Sequence, residues 1–366
     1  NGPIFLAKLT CRIADRSLPK VQIIDMRDEF IQGHRRLISR YLMKRISLLS
    51  SNGQQAVILV PRRGYSSFVS CRSCGETVQC PNCDVALTLH RDEEGTQSLQ
   101  CHWCDFRSSF GNRCNECGSI AFKPFGAGTQ RVLEKLVMEL NGLRVLRFDR
   151  DTTGGRDGHR NLLERFASGD ADVLIGTQML AKGMDLPNVT IAAVIAADGL
   201  LNRPDLNASE QSLQLFMQLA GRAGRGETPG ELIVQTYSPS HPVITNLKEG
   251  CYEKFLREEA KLREQGSLVP FSRACLLRLS GESPAETASS AAAVAKKVKS
   301  LCDCAGWVVI GPAPSMVSRI AGKSRWQILL HGPEDSDLPL PKDRTSLWQD
   351  LPKGISLSVD PDPIQI

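Results

Sequence analysis

Residues Cys71–Cys117 read CRSCGETVQCPNCDVALTLHRDEEGTQSLQCHWCDFRSSFGNRCNEC, a stretch holding four Cys-x-x-Cys pairs. A Cys-x-x-Cys pair can aim two thiolates at one tetrahedral ion, and two pairs complete a structural zinc shell. Four pairs therefore imply two Zn2+ ions. The gaps between successive pairs are five, seventeen and nine residues, and the middle one fits the spacing of a single four-cysteine site. Three pairings are open. The favoured one is nested, with Cys80, Cys83, Cys101 and Cys104 on an inner ion and Cys71, Cys74, Cys114 and Cys117 on an outer one. Gly75 and Gly118 follow the outer pairs, and Asp84 and Asp105 the inner ones. Turns behind paired cysteines often need a left-handed residue, which Gly adopts freely and Asp tolerates. Eight cysteines fill two shells, so His90 and His102 are read as non-ligands. A disulfide set is the alternative, disfavoured by the regular pairing and by a composition that suits a reducing cytoplasm.

The remaining five cysteines show no framework spacing. The 366 residues carry a net charge of +5 and 5% aromatics, so charge alone does not demand a nucleic-acid partner. The longest apolar run, Val189 to Ala197, is too short to span a membrane. The chain begins Asn1-Gly2-Pro3 without a methionine, as a piece of a longer protein would.

Around the cysteine stretch, strands rich in Val, Ile and Leu alternate with helices. Strands are expected at 21–25, 56–60, 143–149, 171–177, 189–198 and 231–237, and helices at 34–49, 128–140, 161–168 and 209–225. That alternation predicts an α/β domain built on a parallel sheet, with the zinc segment as an insertion. A charged helix at 252–265 bridges to a last segment of strand, Ala-rich helix, strand, loop and two further strands, a small α+β domain. The expected boundaries are 1–70, 71–120, 121–268 and 269–366, the first and third being parts of one lobe.

Two stretches are expected at the carboxyl ends of strands, where such sheets place ligands: GTQMLAKGMDLPNVT (176–190) and QLAGRAGR (218–225). Arg222 and Arg225, three apart on a Gly-rich helix end, can reach a polyphosphate with bidentate forks. A solvated arginine pair is the plainer alternative. Trp103, Phe106 and Phe110 are expected to pack around the cysteine knuckles, with stacking on an unpaired base as the other possibility.

The order Arg-Arg-Gly after a strand, then GTQR, DRDTT, GTQMLAKGMDLPNVT and QLAGRAGR resembles superfamily 2 helicases. With an eight-cysteine insertion at that place, the chain resembles the bacterial primosomal protein N′ family of replication-restart helicases. The resemblance runs from about Asp25 to the end and includes PFSR (270–273) and WQILL (326–330). It supports the nested pairing and implies a second RecA-like helicase lobe. By position it implies Thr177 and Gln178 near the nucleic-acid strand, with Gly128 and Thr129 offering backbone N–H groups to a phosphate and Arg62 and Arg63 adding positive charge. It sets Gly183 and Asp185 near the nucleotide, and Gln218, Arg222 and Arg225 facing ATP, with Arg225 as the arginine finger.

For the intact protein it implies ATP- and Mg2+-dependent 3′→5′ unwinding at stalled forks. The implied partners are branched DNA, primosome proteins and single-stranded DNA-binding protein. Asn207 and Gln211 replace arginines common in the family, and Met184 stands where it usually has His. Met cannot hydrogen-bond as His does, so coupling between ATP and DNA is expected to be altered. The chain contains no GxxxxGK[ST] loop and no DExH box. Gly322-Lys323-Ser324 is a decoy, because Val317 occupies the place of the first glycine. The expectation is a portion without the first lobe and the amino-terminal DNA-binding domain, unable to hydrolyse ATP alone. The rival reading is a non-hydrolysing zinc scaffold that binds branched DNA or primosome proteins.

Overall fold

The computed structural model describes residues 18–61, 68–83, 85–91, 97–111, 113–124, 129–148, 158–181, 186–203, 205–226, 228–341, 343 and 345–363. Along the chain run β1 (Lys20–Asp25), α1 (Met26–Ile31), α2 (Arg40–Ser47) and β2 (Gln55–Leu59). Five short strands of the cysteine-rich segment follow: β3 (Val69–Cys71), β4 (Thr88–Arg91), β5 (Gln97–Gln100), β6 (Arg107–Ser109) and β7 (Phe122–Pro124). Then come α3 (Thr129–Glu139), β8 (Val145–Phe148), α4 (Gly158–Ala167), β9 (Val173–Gly176), β10 (Val189–Val194), α5 (Asp198–Leu201), α6 (Ala208–Ala220), β11 (Glu231–Thr236), α7 (Pro242–Glu249) and α8 (Tyr252–Gln265). The chain finishes with β12 (Ser272–Gly281), α9 (Pro284–Ala305), β13 (Val308–Ile320), β14 (Lys323–Pro333), α10 (Ser346–Gln349) and β15 (Ser356–Pro361).

Two compact units result. One takes the described residues of 1–62, 127–197 and 213–248, the other those of 63–126, 198–212 and 249–366. Segments 198–212 and 249–268 thus group with the cysteine-rich and carboxyl-terminal segments.

The first unit is a six-stranded sheet of order β1-β11-β10-β2-β9-β8, parallel at every pairing. The four inner strands are buried along their whole length, as their unbroken Ala/Val/Ile/Leu runs require when helices cover both faces. Each fully buried Leu, Ile or Val contributes about 1.5–3 kcal/mol. Two buried glutamines close the ends of this core: Gln55 Nε2 donates to the carbonyls of Phe166 and Ala171, both at 2.7 Å. Gln235 accepts from the Ser39 N–H at 2.8 Å and donates to the Leu37 carbonyl at 3.0 Å.

The helix expected over 34–49 is shorter. Gly33, at φ +85°, ends the turn after α1, and Ser39 caps a new helix by accepting from the Leu42 N–H. A side-chain oxygen at that position satisfies one of the orphan donors.

In the second unit, β13-β14-β12-β15 form an antiparallel sheet. Helix α9 covers one face, burying Ala291, Val294, Ala295, Val298 and Cys302 against Leu277, Leu279, Ile328, Leu330 and Trp307. Its limits are local: Ser283 accepts from the Glu286 N–H, Pro284 fills the first helical position, and Gly306 ends it at φ +72°, as capping chemistry predicts. The loop expected between 313 and 326 is instead a long β13–β14 hairpin, and the Gly322-Lys323 decoy sits at its turn. Among the described residues no helix is long and apolar enough to cross a membrane.

Candidate metal centres and ligand-facing edges of the parallel sheet

The eight cysteines gather into two sets, Cys71/Cys74/Cys114/Cys117 and Cys80/Cys83/Cys101/Cys104, with the sulfurs of each set within 4.8 Å of one another. The arrangement is nested. Sulfur separations are 3.6 Å for Cys71–Cys117, 3.7 Å for Cys74–Cys114 and 3.6 Å for Cys80–Cys104. A tetrahedral ion with Zn–S bonds of about 2.3 Å sets its sulfurs about 3.8 Å apart, whereas a disulfide needs about 2.05 Å. The cysteines are free thiols at the spacing a zinc ion requires.

Local turns create that spacing. Gly75, Asp105 and Gly118 are left-handed at φ +85°, +62° and +69°, and each donates its N–H to the carbonyl of the first cysteine of its pair. Asp84 lies outside the described residues. The N–H groups of Asn82 and Trp103 reach the sulfurs of Cys80 and Cys101 at 3.5 and 3.4 Å, the contacts that orient and stabilise a thiolate ligand.

The thiols resist ionising together. Burial opposes ionisation of Cys71, but the Cys74 and Ser73 N–H groups and neighbouring sulfurs outweigh it and bring its thiol down to about 7. Burial, with the sulfurs around it, pushes Cys74 up to about 12, and burial lifts Cys101 to about 11. A dication at the centre of each set removes that conflict. Neither histidine belongs to a cysteine set. Burial lowers the pKa of both, and they form a pair with Nε2 atoms 3.2 Å apart. Around the sets pack Trp103, Phe106 and Phe110, the last stacked on Phe122 at 5.9 Å.

In the parallel sheet, the motif residues divide between opposite edges. Thr177 follows the last residue of β9 and is half-buried. Its carbonyl accepts from the Leu180 N–H, starting the short turn Gln178–Ala181. Gly176 must be glycine, because a Cβ there would lie 2.5 Å from the Phe148 carbonyl oxygen. Helix α3 enters β8 through residues 140–144. Its carboxyl end is therefore at the sheet's amino edge, and buried Thr129 lies about 16 Å back along the axis, towards the carboxyl edge with Thr177. Arg62, Arg63, Gly128, Gly183, Met184 and Asp185 lie outside the described residues.

The QLAGRAGR stretch lies at the other edge, which corrects the expectation that it sits at the carboxyl ends of strands. Helix α6 stops at Ala220, and the Gly224 N–H donates to the carbonyl of Val189, the first residue of β10. A crossover helix runs back against its strands, so its end meets their amino termini. Three glycines make the seat. A Cβ on Gly224 would come within 2.3 Å of the Gly230 nitrogen, one on Gly230 within 2.4 Å of the Ala223 carbonyl carbon, and one on Gly226 within 2.7 Å of the Pro187 oxygen. The close approach that the sequence suggested for a polyphosphate is thus made first to the chain's own backbone. On this seat Gln218 is exposed, Arg222 and Arg225 are half-buried, and Arg225 Nε donates to the Gly221 carbonyl at 3.0 Å. Gly230 and Pro187 escaped the sequence reading, although the spacing Gly224…Gly230 was a signal for them.

Comparison with known proteins follows the same three parts. The family described as helicase conserved C-terminal domain matches residues 119–227, that described as PriA DNA helicase Cys-rich region matches 80–108, and that described as primosomal protein N C-terminal domain matches 264–364. The chain is similar to the "Replication restart protein PriA" of Synechocystis sp., at 43% identity over 97% of this chain and 42% of that protein. The Bacillus subtilis protein of the same name is 40% identical over 92% of this chain and 42% of its own length. The Treponema pallidum protein is 34% identical over the whole of this chain and 54% of its own. A solved structure of RecG bound to a three-way DNA junction shares 14% identity, with a TM-score of 0.37, over 70% of this chain and 24% of that one. The chain spans about half the length of the curated relatives it matches. With a helicase carboxyl-terminal lobe, a cysteine-rich insertion and the carboxyl-terminal domain matched in that order, the chain belongs to the PriA family of replication restart proteins.

Proposed function

We propose that this chain is the carboxyl-terminal part of an ATP-dependent 3′→5′ DNA helicase that acts in the cytoplasm at stalled or branched forks and starts primosome assembly. The observation that carries the reading is the division of motif residues between two edges of one sheet. Thr177, Gln178 and Thr129 serve the DNA backbone, where phosphate contacts position without reading sequence; Arg62, Arg63 and Gly128, outside the described residues, are assigned to it by the family resemblance. At the opposite edge Gln218, Arg222 and Arg225 serve ATP and its Mg2+ held on a first lobe; Gly183 and Asp185, which lie outside the described residues, are assigned to the nucleotide by the family resemblance alone. Arg225 is the arginine finger, a role that strengthens phosphoryl transfer by large factors. The eight cysteines hold two Zn2+ ions whose part is structural, since four protein ligands leave no open position for chemistry. Primosome proteins and single-stranded DNA-binding protein are the proposed protein partners.

Binding of a fluorescent forked DNA by this chain tests the reading. Gln178→Ala should weaken it several-fold and Arg225→Ala should leave it unchanged. Equal loss in both variants would refute the division of edges. The chain itself should show no steady ATP turnover, and turnover abolished by Arg225→Ala would overturn that expectation.

A further inference from the structure

The four cysteine knuckles differ in what lies between their ligands. Pro81-Asn82 and Asn115-Glu116 are exposed and Arg72-Ser73 half-buried, while in Cys101-His102-Trp103-Cys104 the histidine is 3% exposed. That histidine is held by two adjacent strands of the carboxyl-terminal sheet. His102 Nδ1 lies 2.9 Å from the Pro314 carbonyl oxygen on β13 and donates to it. Gln327 Nε2 on β14 donates to the His102 carbonyl at 3.2 Å. With Nδ1 protonated, Nε2 of His102 accepts from His90.

Trp103 packs, with Val269 and Ile310, against the buried Ala274, Leu276 and Leu329, on the face of the sheet opposite α9. The sheet is irregular beside it. The β13–β14 register shifts between Ile310 and Ala313, and at that bulge Gly311, at φ +95°, lies next to the Trp103 carbonyl oxygen, which a Cβ there would touch at an ordinary 3.4 Å while crowding the Ala313 nitrogen and the Gln327 carbonyl oxygen at 3.0 and 3.1 Å. A bulge re-aims a strand at one position and persists where something uses it.

We propose that the inner cysteine set is the clamp that fastens the cysteine-rich module to the carboxyl-terminal sheet, through His102 and Trp103 of its own knuckle, while the outer set takes no part in that attachment. The inference rests on each set holding one zinc. An ion on Cys101 and Cys104 fixes the knuckle turn, in which the Asp105 N–H meets the Cys101 carbonyl at 3.1 Å. That turn fixes where His102 and Trp103 project. Cys117, by contrast, is exposed, and Asn115 and Glu116 of its knuckle are exposed as well.

The test uses the whole chain, with zinc counted by elemental analysis and amide exchange followed in segments 269–276, 308–314 and 326–331. Cys104→Ser should fall from two zinc to one and exchange those segments at least about fivefold faster, the low end of ordinary coupling between sites. Cys117→Ser should also fall to one zinc, with those segments unchanged. Trp103→Ala keeps every ligand, so it should retain two zinc and still exchange faster there, which guards against a ligand variant that merely fails to fold. Equal acceleration in Cys117→Ser, or wild-type exchange in Trp103→Ala, would overturn the clamp. A wild-type count other than two overturns the zinc reading beneath it, whereas two zinc with unmoved segments removes the clamp alone.

Discussion

Gly224→Ala should damage the first unit more than a glycine substitution of equal backbone cost elsewhere in it. Gly224 and Gly169 are both left-handed, at φ +72° and +89°, so an added Cβ strains either by about 1–2 kcal/mol. They differ in space. At Gly169 nothing lies within 4 Å of the added atom, whereas at Gly224 it would meet the Gly230 nitrogen at 2.3 Å and Cα at 2.8 Å. Those are backbone atoms held at the start of β11 and cannot swing aside. Overpacking of this kind costs about 1–3 kcal/mol more, so Gly224→Ala should lose about 2–5 kcal/mol in all. The assay is native-state amide exchange of Ile233 and Val234, buried in β11, because two units need not unfold as one transition. At 1.4 kcal/mol per tenfold, exchange should be about 5- to 150-fold faster in Gly224→Ala than in Gly169→Ala. Equal exchange in the two variants would falsify the claim that these glycines exist to seat the arginine turn on the sheet.

Asp172 should make the first unit acid-sensitive. Burial raises its pKa, but hydrogen bonds from the Arg144 guanidinium and N–H, at 2.7 and 2.9 Å, outweigh this and hold the carboxyl below its usual value. Its stabilisation is therefore complete above about pH 4, the ordinary carboxylate value, and is lost as pH falls through the lower folded value. Thermal melts of Asp172→Asn should show a flatter acid limb, and an unchanged limb would refute the assignment. Gly332→Ala should disorder the face of the carboxyl-terminal sheet under α9, since its Cβ would fall 2.2 Å from the Trp307 ring. Near-ultraviolet circular dichroism reads the change, and a native tryptophan band would count against it. Chelation under reducing conditions should remove two zinc per chain and unfold the cysteine-rich module, whose metal binding is worth about 10–16 kcal/mol per site by comparison with zinc-finger peptides. Exchange in β2, β9, β10 and β11 should stay as it was, and parallel loss there would show that the sheet depends on the metal.

Much of this was legible in the sequence because it is local. Cys-x-x-Cys spacing, the left-handed residues Gly75, Asp105 and Gly118 behind three of the pairs and apolar strands each encode their geometry within a few residues. They favoured the nested cysteine sets among three open pairings, and the family resemblance supported that choice. The chain order of strands and helices likewise predicted a parallel sheet before its order was known. What the sequence could not give was the edge on which each motif falls. A helix that crosses back over the sheet reverses direction, so QLAGRAGR ends at the amino termini of the strands although it reads like a carboxyl-end loop. Nor could it give the partner of His102. Pro314 lies 212 residues further on, and only the packing of an antiparallel sheet with a bulge at Gly311 brings that carbonyl to the imidazole. Residue spacing fixes contacts made within a turn or a strand. Contacts made between elements depend on how the chain closes its core, and that is decided in three dimensions.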